Sequence, residues 1–99
     1  MTIMVIKMNK LEDARIKINE IDEQMATLFV QRMAASKLVA EYKQENNLPI
    51  FDKKREEEII LKNKKLINNE ELVEYYVKYI QSLMDISKEY QQDLLRKNK

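Results

Sequence analysis

The sequence predicts an all-α protein with three helices per chain: one long N-terminal helix, a short middle helix and a long C-terminal helix. Three observations predict it. The 99 residues include no Gly and one Pro, with 44% hydrophobic and 35% charged residues, a composition of long helices rather than of strands joined by tight turns. The first half carries a heptad seam: Leu11, Ala14, Ile18, Ile21, Met25, Leu28, Arg32, Ala35, Val39 and Tyr42. Turn residues cluster between helical patterns at Asn46-Asn47-Leu48-Pro49 and again at Asn68-Asn69.

The first helix is expected over residues 10–45. Residues 1–9 are mildly apolar but too short for a signal peptide with its cleavage site, and read as a loose extension. The helix stops at Asn46 to Pro49, because Asn favours turns and the residue before Pro avoids the helical region. Asp52 is the expected N-cap of a second helix over residues 53–67, with Glu56, Glu57 and Glu58 near its positive end. Asn69 is the expected cap of a third helix over residues 70–96, which carries Leu72, Tyr76, Tyr79, Leu83, Ile86, Tyr90 and Leu94 at spacings of three and four. Residues 10–96 thus form one helical domain, followed by a frayed tail at 97–99.

Geometry then constrains assembly. A helix of about 36 residues is about 54 Å long, whereas a compact chain of this size has a radius of gyration of about 13 Å. One three-helix chain cannot wrap such a rod into a globule, so an intertwined homodimer is expected.

Composition narrows the chemistry. The net charge of +1 argues against a broad nucleic-acid surface. The chain has no Cys and no His, which removes thiol catalysis, disulfides, the usual zinc sites and imidazole acid–base chemistry. No metal and no cofactor is expected. No run of 18 apolar residues is present, so no membrane span is expected, and the expected location is cytoplasmic.

The polar residues on apolar stripes carry the functional reading. Arg32 interrupts the seam, and a guanidinium cannot shed its charge, so burying it requires an anion nearby. Lys43 lies eleven residues on, about 16 Å along the axis on nearly the same face. Together they point either to a pocket for a small anion or to pairing with acidic residues of a neighbouring helix. Arg15 is about 25 Å from Arg32 along the axis and about 100° round it, so one helix cannot aim both at one small molecule. Arg15 is therefore either an ordinary surface residue or part of a partner's pocket. The start of the second helix, Asp52-Lys53-Lys54-Arg55-Glu56, reads as a solvated capped terminus or as a hydroxyl-binding corner. Ser87 and Gln91, four apart, share the stripe Ile80–Met84–Ser87–Gln91–Leu94, where a Gln is either a satisfied polar contact or a neutral donor to a ligand.

Taken in order, Ala14-Arg15-Ile16-Lys17-Ile18, Ile21-Asp22, Arg32, Lys43, Asp52-Lys53-Lys54-Arg55-Glu56 and Ser87-x-x-x-Gln91-Gln92 resemble the all-helical chorismate mutases. The resemblance covers residues 11–92, with a small length difference at the Asn68-Asn69 turn. Lys88 departs from the mostly apolar residue expected beside that Ser. The resemblance implies an intertwined homodimer with two active sites built from both chains, in which chorismate, a dianion, rearranges to prephenate. It implies that Arg32 and the partner's Arg15 hold the carboxylates, and that Lys43 contacts a carboxylate and the ether oxygen. It further implies that Glu56, with Asp52 and Arg55 at the helix start, holds the ring hydroxyl, that Ser87 assists a carboxylate, and that Gln91 donates to the ether oxygen. Two other readings stand beside it: an isochorismate-pyruvate lyase, and a non-catalytic helical module docking on a shikimate-pathway enzyme.

Overall fold

The computed structural model describes residues 2–97, with side chains for residues 9–97. Three helices follow in chain order: α1 over Thr2–Glu45, α2 over Lys53–Lys64 and α3 over Glu70–Lys97, with no strand among the described residues. The all-α expectation holds. The backbone of residues 2–9, expected as a loose extension, continues α1, and no Pro or Gly there would stop it. The side chains of residues 1–8, and residues 98 and 99 of the expected frayed tail, lie outside the described residues.

Local chemistry sets the boundaries. At the end of α1, Asn47 takes φ 55°, the left-handed conformation that Asn tolerates better than most residues. The Leu48 N–H then donates to the Lys43 carbonyl (2.8 Å) and the Asn47 N–H to the Gln44 carbonyl (3.3 Å), satisfying carbonyls that the helix leaves unpaired. The Asn46 side-chain amide adds a bond to the Tyr42 carbonyl at 2.8 Å. Asp52 caps α2 as expected, its carboxylate accepting the Arg55 N–H at 3.0 Å. Asn69 does the same for α3, accepting the Glu71 N–H at 3.1 Å.

Helix α2 ends at Lys64, short of the expected residue 67. The last turn tightens there: Leu66 donates to the Asn63 carbonyl (2.9 Å) and Ile67 to the Lys64 carbonyl (3.2 Å), bonds between residues three apart. Helix α3 runs one residue past its expected end, to Lys97.

The chain divides into two compact units, Met1–Arg32 and Met33–Lys99. In the first, every described side chain from residue 9 to residue 31 is exposed, including the seam residues Leu11, Ile18, Ile21, Met25 and Leu28. In the second, α2 packs on α3, and the buried apolar residues are Ala40, Ile80 and Met84. Helix α3 has two apolar stripes, and this chain covers one of them: Ile80, Met84, Ser87 and Gln91 are buried, whereas Leu72, Tyr79 and Ile86 of the other stripe are exposed.

Candidate active site

Among the described residues of the second unit, half of the buried ones are polar. Ser36, Ser87 and Gln91 are 8%, 6% and 7% exposed, beside Ala40, Ile80 and Met84. Burying polar groups is costly unless they are hydrogen-bonded, so a small core that spends half its positions on them needs a reason. Spacing explains how they meet. Ser36 and Ala40 lie four apart on the C-terminal stretch of α1, and Ser87 and Gln91 four apart on α3. The Gln91 side-chain amide donates from Nε2 to the Ser36 hydroxyl at 2.9 Å. Its Oε1 is buried with no hydrogen-bond partner. The Ser87 hydroxyl lies 3.9 Å from the Met33 sulfur, a weak acceptor.

Lys43, half-buried at the end of α1, donates from Nζ to the Ile50 carbonyl at 2.7 Å. That bond draws its ammonium to the loop that leads into α2. It uses one of the three N–H groups an ammonium carries.

The head of α2 is the third component. Asp52 gives one carboxylate oxygen to the cap. The Arg55 backbone completes that cap, while its guanidinium lies 4.0 Å from Glu58 on the surface, with both side chains more than half exposed, a pairing worth little. Glu56 behaves differently. Its side chain is only 16% exposed, and both oxygens are engaged from α3: Oε2 by Lys88 Nζ at 2.9 Å and Oε1 by Gln81 Nε2 at 3.2 Å. The same two α3 residues bind Asp85, at 3.3 Å from Lys88 and 3.0 Å from Gln81. The hydrogen bond to Glu56 is the main reason that the Lys88 pKa lies above the ordinary lysine value, against the opposing effect of desolvation. The bond from Gln81, then that from Lys88, holds the Asp85 carboxyl below its ordinary value. Lys88 also stands 4.6 Å over the centre of the Phe51 ring, and these two residues line a shallow pocket with Asp85, Glu89 and Gln92.

The residues expected from the sequence therefore separate. Glu56 is joined to α3 through Lys88 and Gln81, Gln91 is joined to α1 through Ser36, and Lys43 reaches the approach to α2. Arg15 and Arg32 belong to the first unit, where Arg15 is exposed and Arg32 half-buried. The sequence reading missed Ser36 and Gln81. Ser36 stands one helical turn after Arg32, so its spacing from that residue could have found it. Gln81 carried no such signal, because its partner Glu56 is 25 residues away in the chain.

The chain matches the family described as chorismate mutase type II over residues 14–92. It is similar to the chorismate mutase of Methanocaldococcus jannaschii, with 34% identity over 95 residues that cover 91% of this chain and 96% of the relative. No solved structure gives a significant match. Neither the lyase reading nor the interaction-module reading is favoured by these relatives.

Proposed function

This chain belongs to the chorismate mutase type II family, and from that premise we propose how it holds chorismate and lowers the barrier to prephenate. The reaction is unimolecular and pericyclic. The ether C–O bond breaks as a new C–C bond forms, and no nucleophile or proton transfer is required. The enzyme must hold the folded, reactive conformer and oppose the negative charge that grows on the ether oxygen.

In this reading Arg32 and the partner subunit's Arg15 hold the two carboxylates, with Ser87 assisting one of them. Lys43 and Gln91 donate to the ether oxygen. Glu56 accepts from the ring hydroxyl at the head of α2, near the Asp52 cap, and Arg55 has the smallest share because its guanidinium lies toward Glu58.

The buried Gln91 amide carries this reading. A neutral donor suits a developing anion at any ordinary pH. With Nε2 on Ser36, the amide leaves Oε1 without a partner, which is unfavourable for a buried carbonyl. A half-turn of the amide lets the Ser36 hydroxyl donate to Oε1 and puts the N–H groups where Oε1 stood. An ether oxygen arriving there would meet a donor already aimed at it.

We propose further that the working unit is a homodimer. The exposed seam from Leu11 to Leu28 supports it, because a continuous apolar stripe of that length is the surface a second copy would cover. Two cations about 25 Å apart on one helix also suit two different pockets, one in each half of a two-fold pair.

The test is complementation. Purified protein is expected to consume chorismate, and Arg15→Ala and Arg32→Ala are each expected to be inactive. When the two variants are mixed and exchange subunits, heterodimers regain one intact site and part of the activity. Proven exchange with no return of activity would refute the shared site.

A further inference from the structure

We propose that Lys88 is a positioning residue for substrate binding: together with Gln81 it fixes the Glu56 carboxylate and neutralises its charge against a dianionic substrate. The proposal rests on the reading of Glu56 as the acceptor of the ring hydroxyl.

The geometry assigns Lys88 this role rather than a direct grip on substrate. An ammonium has three N–H groups. Lys88 directs its ammonium at Glu56 (2.9 Å) and Asp85 (3.3 Å), and it stands over the face of Phe51 at 4.6 Å. Two carboxylates and a ring face account for its donors. The side chains of Lys88 and Glu56 are 25% and 16% exposed, so water screens this pair less than it would a surface pair. Gln81 holds the second Glu56 oxygen at 3.2 Å and so fixes the rotation of the carboxylate. Each Glu56 oxygen keeps further acceptor capacity, because a carboxylate accepts at about four lone-pair sites.

Electrostatics gives the second half of the role. Glu56 and Asp85 without Lys88 would be two negative charges on the α2–α3 face, close to a substrate that carries two more. With Lys88 in place one of them is offset. Lys88 thereby accounts for its own departure from the apolar residue the family resemblance leads one to expect at that position. An apolar side chain there would leave Glu56 with Gln81 alone.

The kinetic signature is specific. The ring hydroxyl takes no part in the bonds that break or form, so its hydrogen bond to Glu56 exists in the ground and transition states alike. Such an interaction appears in KM and leaves kcat unchanged. Lys88→Met keeps the length of the stem and its contact with Phe51 but removes the charge.

The experiment measures kcat and KM for chorismate in the full-length protein, its Lys88→Met, Lys88→Arg and Glu56→Gln variants, and the Glu56→Gln/Lys88→Met double variant, with helicity followed by circular dichroism. Loss of one charge-assisted bond predicts that Lys88→Met raises KM about tenfold with kcat within about twofold, and that Lys88→Arg restores most of the affinity. In the Glu56→Gln background the Lys88→Met change is expected to raise KM by less, since there is no longer a Glu56 carboxylate to fix and only the charge of Asp85 is left to offset. If Glu56→Gln raises KM and Lys88→Met leaves it alone, the positioning role is wrong and the Glu56 assignment stands. If neither change moves KM, the Glu56 assignment falls as well. An equal rise in KM in both backgrounds would show that Lys88 meets the substrate by itself, which also overturns the proposal. Should Lys88→Met fail to fold, Lys88→Arg with Gln81→Leu applies the same test, with a rise in KM confined to the Gln81 change supporting fixation of the carboxylate and no rise refuting it.

Discussion

Residues 9–31 and the helices within residues 33–97 both carry apolar residues at helical spacing, yet they use them in opposite ways. In the first stretch Leu11, Ile18, Ile21, Met25 and Leu28 follow the heptad spacing closely, and all are exposed. In the second, the spacing on α3 is interrupted by Ser87 and Gln91, and that interrupted stripe is the one the chain buries. The more regular apolar stripe is thus uncovered, and the stripe containing polar residues is covered. In the proposed reading, the regular stripe meets a second copy of the chain, and the polar exceptions on the covered stripe serve the substrate.

The largest effect should come from damaging the regular stripe. Replacing Met25 and Leu28 together with Glu puts two charges on the exposed seam without touching any proposed substrate-binding residue. The expected outcome is a chain that scatters light with the mass of one 11.9 kDa copy and has no measurable mutase activity. Under the proposed shared site, activity is lost because each site would lack the partner subunit's Arg15. A variant that is monomeric and fully active would break the comparison, since the seam would then have no bearing on the site.

The next effect is on the interrupted stripe. With no His in the chain, no side chain has an ordinary pKa between about 5 and 8, so the parent rate should vary little across that range. Gln91→Glu places a carboxyl in a buried position, and desolvation favours its neutral form. Once ionised it accepts hydrogen bonds only, and it would face the growing charge on the ether oxygen. At pH 8 the variant is expected to lose about 10²–10³ in kcat, the scale for removing one preorganised donor, and to recover as pH falls and the carboxyl regains its proton. A pH–rate profile of kcat checks this. A variant with the parent's rate at pH 8 would remove residue 91 from the reacting oxygen, and Gln92 would be the next residue to test.

The two stretches were not equally legible in the sequence. Helix starts were legible because their signals are local: Asp52 and Asn69 each accept a backbone N–H within three residues. The end of α1 was legible as a stop, while the left-handed turn at Asn47 that makes it was not, since Asn takes that conformation only sometimes. The end of α2 was misplaced by three residues because no Gly or Pro punctuates Lys64, and the helix tightens before it breaks. At the site, Glu56, Ser87 and Gln91 could be singled out because a polar residue on an apolar stripe, or at a helix start, stands out. Gln81 could not, because it acts through a neighbour 25 residues away. Lys88 stood out only as a departure from family expectation, and its partners came from the fold.

The smallest effect, and the one that tests the interrupted stripe most finely, concerns Ser36. A hydroxyl can donate or accept, so Ser36 can partner the Gln91 amide in either orientation. In the one observed, Nε2 donates to Ser36 and the buried Oε1 is unpaired. In the other, Ser36 donates to Oε1 and the amide N–H groups await an acceptor. On the role proposed for Gln91, substrate would supply that acceptor and binding would select the second orientation. Ser36→Ala removes the anchor from both. A net hydrogen bond is worth about 0.5–1.5 kcal/mol, so the expected loss is about twofold to tenfold in kcat. KM should change little if Gln91 interacts mainly with charge that develops in the transition state. Ser36→Thr keeps the hydroxyl and should restore part of the rate, whereas a purely packing role for Ser36 would leave Ala the better substitute because it is smaller. The two roles therefore predict opposite orders of kcat for Ala and Thr at position 36.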